Sequence, residues 1–245
     1  MPRFGDDIFL GSAFGPNVAD SNPSPMEAGV GPMGRIYVFD VVPLVLQAAG
    51  LAAAQAVAAP KNLALAAGTG VTAVVDATGT TRYVLDTPRC VSLVSSGAGD
   101  TTQVATVRGY DFYGQPMTAT VTLNGVATVQ TLKAFKSVTS IAISAATAGN
   151  VSAGYSDRLG LPVRVTDAGY VASVKWSGVL ADDAGTFVAA VTTDPSTAAL
   201  GDVRGLYTPS SASNGAKRLV MTIALPALAA GPQATRAGAF GVTQV

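Results

Sequence analysis

Few residues in this chain have the means to do chemistry. Asp182 and Asp183 stand side by side before Ala184-Gly185, and adjacent carboxylates could hold calcium or divide acid and base roles. One short acidic turn without further oxygen ligands makes a weak metal site, however, and Asp-Ala-Gly is ordinary turn chemistry. Cys90 follows Arg89, which itself faces the carboxylate of Asp86. A reactive thiol wants a free base beside it, so Cys90 reads as a small hydrophobe on a strand. Gly29-Val30-Gly31-Pro32-Met33-Gly34 spells a dinucleotide fingerprint. It follows a Pro-rich stretch and precedes a strand, where the fingerprint needs a strand and then a helix, and Pro32 disturbs the amides that would cradle pyrophosphate. Asn150-Val151-Ser152 fits the glycosylation sequon, a pattern that chance supplies in a chain this long.

Composition excludes more. The 245 residues hold no histidine, which removes Ser-His-Asp and Cys-His pairs and imidazole metal ligands. A single cysteine permits neither an internal disulfide nor a zinc knuckle. The 14 aspartates are scattered through turn-like sequence, so no carboxylate pair stands out for hydrolysis. A net charge of zero argues against binding nucleic acid by phosphate neutralisation. The expectation is therefore no catalytic residues, no metal, no cofactor and no direct nucleic-acid partner. The opening Met1-Pro2-Arg3-Phe4 lacks the apolar run of a signal peptide, and without disulfides the chain does not read as built for an oxidising compartment.

The elements around these residues read as strands. Met117, Ala119, Val121 and Leu123 alternate with Thr118, Thr120 and Thr122, which places an apolar row opposite a row of hydroxyls. Asn124-Gly125 then leads into Val126–Gln130, the pattern of a hairpin turn. Further β-rich runs lie at Arg82–Leu85, Cys90–Ser95, Gln103–Val107, Val138–Ile143 and Pro162–Val165. After these come a face of Tyr170, Ala172, Val174 and Trp176, then Phe187–Thr192, and then Leu219, Met221, Ile223 and Leu225 on one side of a last strand. Thr193 to Asn214 is turn-rich. Short strands with turns at this spacing predict an all-β protein, a sandwich of immunoglobulin-like type.

The uncharged run 41–60 and a mean hydropathy of +0.39 raise a membrane helix. Pro43, Gln47, Gly50, Gln55 and many alanines argue against one. A strand over Ile36–Leu46, then an Ala-rich helix or strand over Gln47–Ala58, is expected instead, with no membrane partner.

Three stretches differ in character. Residues 1–34 are rich in proline and glycine and predict an extended N-terminal arm. Phe4, Ile8, Phe9, Leu10 and Phe14 recur through that arm and are the candidate partner-interface residues, since large apolar groups on an arm need a surface to cover them. Residues 35–165 form the β-sandwich domain. Residues 166–245 carry further strands, in the same sandwich or in a second small β-domain, and end in an extended C-terminal tail.

Asp86-Thr87-Pro88-Arg89-Cys90-Val91, Gly109–Met117, Lys133–Ile141, Leu159–Pro162 and Gly201–Pro209, followed by the strand Arg218–Leu225, resemble virion proteins of tailed bacteriophages. The resemblance covers residues 82 to 225 and is closest to capsid cement or decoration proteins. It implies an immunoglobulin-like or jelly-roll β-sandwich with extended terminal arms and a structural, non-enzymatic role. Its partners would be the major capsid protein and copies of the chain itself, on the outside of a capsid whose parts are made in the host cytoplasm. A homotrimer is expected, because local three-fold positions join the most subunits and a closed ring hides sheet edges that scarce charges leave unprotected. A tail, neck or fibre-base protein of the virion is the first alternative. The second is a carbohydrate-binding β-sandwich module, which the single tryptophan disfavours.

Overall fold

A computed structural model of the chain describes residues 33–226 and 241–244. The candidate anchors Phe4, Ile8, Phe9, Leu10 and Phe14 lie outside the described residues, as does most of the tail. The strands, in chain order, are β1 (Met33–Val41), β2 (Gln47–Ala56), β3 (Lys61–Asn62), β4 (Val71–Val75), β5 (Thr81–Ser95), β6 (Val104–Tyr110) and β7 (Pro116–Thr122). They continue as β8 (Val129–Ile143), β9 (Asn150–Gly160), β10 (Val171–Trp176), β11 (Thr186–Val188), β12 (Leu206–Thr208) and β13 (Leu219–Pro226). The protein is an all-β sandwich. Its larger sheet has ten strands along β11-β12-β9-β5-β8-β6-β7, with β2 added to β9, β3 to β8 and β4 to β5. The smaller sheet is β1-β13-β10, and every strand pairing in both sheets is antiparallel. Among the described residues, no helix is long and apolar enough to cross a membrane.

Alternating side chains build the core. Met117 and Ala119 are buried on β7 while Thr118 and Thr120 are only partly covered, the one-in, one-out pattern that strand geometry imposes. Leu219, Met221 and Ile223 are fully buried on β13 and pack with Phe39, Trp176 and Tyr207 between the small sheet and the β9–β12 end of the large one. A second cluster, with Leu51, Leu93, Phe135, Ile141 and Tyr155, fills the body of the large sheet.

Several boundaries differ from the sequence reading, each for a physical reason. Arg82–Leu85 and Cys90–Ser95 are two ends of one strand, β5, because its ladder to β8 breaks and resumes between Val84 and Arg89. Pro88 sits in that break and has no N–H to donate to a ladder. Lys136 Nζ spans the gap, donating to the carbonyls of Leu85 at 2.7 Å and Asp86 at 2.9 Å.

The Asn124-Gly125 turn exists, with Gly125 at φ 56° and a bridge from Asn124 to Ala127. It does not join a paired hairpin, because β6 pairs with both β7 and β8 and takes the ladder they would have shared. The strand expected over Ile36–Leu46 stops at Val41, before Pro43. The Ala-rich run after it is the strand β2.

Pro162–Val165 is irregular chain, and the strand in that region is Asn150–Gly160. Tyr170 belongs to a 3-10 turn and Ala172 is exposed, because the ladder of β10 shifts between Val171 and Ser173. Val174 and Trp176 do share the buried face. The expected strand Phe187–Thr192 is short, Thr186–Val188, and the turn-rich stretch after it holds β12.

Candidate docking surface

Asp86 and Arg89 lie three apart on one strand, where strict alternation would point them to opposite faces. The break around Pro88 brings them together, and Arg89 Nη2 lies 2.6 Å from Asp86 Oδ2. The Arg89 side chain is completely buried. Its Nη1 donates to Asp157 Oδ1 and to the carbonyl of Ser156, both at 3.3 Å, and its Cζ lies 5.0 Å from the ring centroid of Tyr155. With Lys136 close by, two cations balance two carboxylates, which a group of buried charges requires.

This ionic group clamps a loop. Leu44 N donates to Asp86 Oδ2 at 2.8 Å, and Leu44 O accepts from Arg89 Nη2 at 2.7 Å and from Ser213 Oγ at 2.6 Å. Ser213 is fixed in turn by Asp157, which accepts from its N–H at 3.0 Å and competes with Leu44 O for the single hydroxyl proton. Gly215 N donates to the carbonyl of Pro43 at 3.2 Å. Both backbone polar groups of Leu44 are thus satisfied from beneath, and the side chains face out. Val42, Leu44, Val45 and Leu46 are between 39% and 46% exposed. Four large apolar side chains in five residues, with no charge among them, form one contiguous apolar stretch rather than scattered surface hydrophobes, which makes the loop a candidate contact surface. A loop already ordered loses little entropy when a partner covers it.

Sequence reasoning missed this loop by running the strand through to Leu46. Pro43 was the available signal, since proline is confined to edges and ends of strands.

The other chemical candidates are occupied by structural tasks. Asp182 accepts from Lys175 Nζ at 2.9 Å and Val174 N at 3.1 Å. Asp183 accepts from the Tyr207 hydroxyl at 2.7 Å and from Ser210 N at 3.0 Å, with a further bond from the Ser210 hydroxyl. Cys90 is buried beside Ala134 and Leu206, and burial pushes its thiol well above the usual range. No cluster of metal-ligating side chains occurs among the described residues.

Burial also raises the Asp202 carboxyl and lowers the Lys133 amine. Perturbed groups of this kind mark active sites when they face a cleft. Here both side chains lie inside, with Asp202 accepting from the N–H groups of Ala134 and Arg204 and Lys133 donating to the carbonyl of Ser196. Trp176 is 4% exposed and its indole N–H donates to Ser211 Oγ at 2.9 Å, so it offers no open platform for a sugar ring.

Compared with protein-family models, with curated proteins and with solved structures, the chain matches none.

Proposed function

We propose that this protein is a non-enzymatic structural component of a tailed-phage virion, a cement protein that binds the outer face of the major capsid shell as a homotrimer. The observation that carries the reading is the rigid, uncharged apolar loop Val42–Leu46 held up by the Arg89 ion group. A surface of that kind suits permanent contact, and covering the part of each Val or Leu that is still exposed contributes on the order of 1 kcal/mol. The resemblance of residues 82 to 225 to phage virion proteins supplies the partner, and near-zero net charge lets many copies lie side by side. Phe4, Ile8, Phe9, Leu10 and Phe14 would add anchors on a neighbouring subunit.

The test is to label the protein in intact particles and count copies. Hundreds per particle support shell decoration; six or twelve would transfer the reading to the neck or tail; none would end it. Particles lacking the protein should lose resistance to heat and low ionic strength, and equal resistance would sink the cement role.

A further inference from the structure

We propose that the groove holding Gly241–Gln244 is a receptor for the same segment of a second copy, so that copies link by exchanging it. The four residues are held by hydrogen bonds at Thr243 and Gln244. Ser196 N donates to the carbonyl of Thr243 at 2.7 Å, and Ser196 and Gln244 form a parallel bridge. Thr243 N donates to Asp194 Oδ1 at 3.2 Å, and Gln244 Nε2 donates to Asp111 Oδ2 at 2.9 Å. Asp111 is itself built in, accepting from the N–H groups of Tyr113 and Gln115 at 2.8 Å each and pairing with Arg204 at 2.9 Å, with both side chains almost wholly buried.

The start of the segment is selected as strictly as its end. Gly241 has φ 92°, and a Cβ there would lie 2.6 Å from the carbonyl oxygen of Val203, so only glycine fits. A cleft of about 530 Å³ beside the segment, lined also by Tyr113, Gln115 and Pro116, leaves one flank of the groove open.

Fourteen residues, 227–240, separate β13 from Gly241, and apart from Leu228 and Phe240 they are small, polar, Pro or a single Arg. Fully extended, such a stretch spans roughly 50 Å, enough to reach an adjoining molecule. A link of this length offers the segment to its own groove at an effective concentration on the order of millimolar. Neighbouring copies at similar density compete on equal terms, because every contact in the groove is the same in either arrangement. The inference goes beyond the reading above and does not rest on it, since it concerns purified chains.

The experiment uses Asp194→Cys and Thr243→Cys, both exposed positions that meet in the groove; Cys90 is buried and stays silent. The two full-length variants are refolded together, concentrated to the millimolar range and oxidised. Exchange predicts an interchain disulfide product on the order of tenfold above that of either variant refolded alone. Adding Gly241→Val to the Thr243→Cys chain should abolish that product, while Trp176 fluorescence reports that the β-domain remains folded. The proposal is overturned if the mixture gives no more interchain product than the single variants, or if Gly241→Val leaves the product unchanged. It is also overturned if an Asp194→Cys/Thr243→Cys double variant closes only within its own chain at every concentration.

Discussion

Arg89 Nη2 donates to the carbonyl of Leu44 at 2.7 Å, and this one bond joins the largest fully buried side chain among the described residues to the exposed apolar loop Val42–Leu46. The two residues are 45 apart in sequence. Asp86 closes the same ring from the other side by accepting from Leu44 N. The charges therefore act at a distance from the surface: they lie beneath the loop and fix its backbone from below.

Removing the guanidinium should expose that dependence. Arg89→Met leaves two carboxylates without their shared cation, and breaking a buried ion pair from one side costs roughly 3–5 kcal/mol. Arg89→Lys should recover only part of the loss, because an ammonium cannot serve Asp86, Asp157 and two carbonyls with one planar fork. Thermal unfolding gives the stability, and amide exchange at Leu44 reports whether the loop loosens before the sheet does.

Val45→Asp and Leu46→Asp should behave in the opposite way. Both side chains are nearly half exposed, so the melting temperature should stay near that of the parent, as it does for surface changes away from special features. If the loop is the docking surface, particle occupancy should fall by roughly tenfold or more for each, since covering an unpartnered carboxylate adds to the lost apolar burial of about 1 kcal/mol. Stable variants that decorate particles normally would remove the loop from the interface.

The strands were largely legible because burial writes itself into a strand with period two. Leu219, Met221 and Ile223 alternate with Val220, Thr222 and Ala224, and the first three are fully buried. β9 was not legible, since Ala153, Gly154, Tyr155 and Ser156 are buried in succession between β5 and β2 and show no alternation. The loop Val42–Leu46 was hidden for a different reason. Its residues have the composition of a strand, and what makes them a loop is Pro43 together with hydrogen bonds from residues 42 to 169 positions away. Local pattern holds no record of such partners. The ion pair of Asp86 with Arg89 was anticipated from proximity alone, whereas the register break that makes it possible came only with the coordinates.

Cys90 should be inert until the protein unfolds. It is fully buried against Ala134 and Leu206, and burial disfavours its thiolate. A thiol reagent at pH 8 should label the native chain at the rate of global unfolding and the denatured chain at once. Cys90→Ala should cost about 1 kcal/mol through a small cavity, and Cys90→Leu about 1–3 kcal/mol through overpacking. Rapid labelling of the folded protein would show that the site opens locally.

Asp100 sets an acid limit. It is buried between the turn after β5 and the one before β9, and its carboxylate accepts from the Ser95 hydroxyl and from the N–H groups of Ala148 and Gly149. Those bonds hold its pKa below the ordinary value of 3.8, the Ser95 hydroxyl most of all. Asp76, which accepts from Thr78, Thr80 and Arg82, is brought down to about 2. A carboxylate whose folded pKa lies below its unfolded one adds stability that is complete above the unfolded value, near pH 4, and is lost as pH falls through the folded value. These two carboxylates should therefore make the melting temperature decline between about pH 4 and 2. Asp100→Asn presents an amide N–H₂ where three donors converge, so it should melt lower at pH 7 yet lose less between pH 5 and 2 than the parent does. A variant that reproduced the full acid decline would place the proton-binding groups elsewhere.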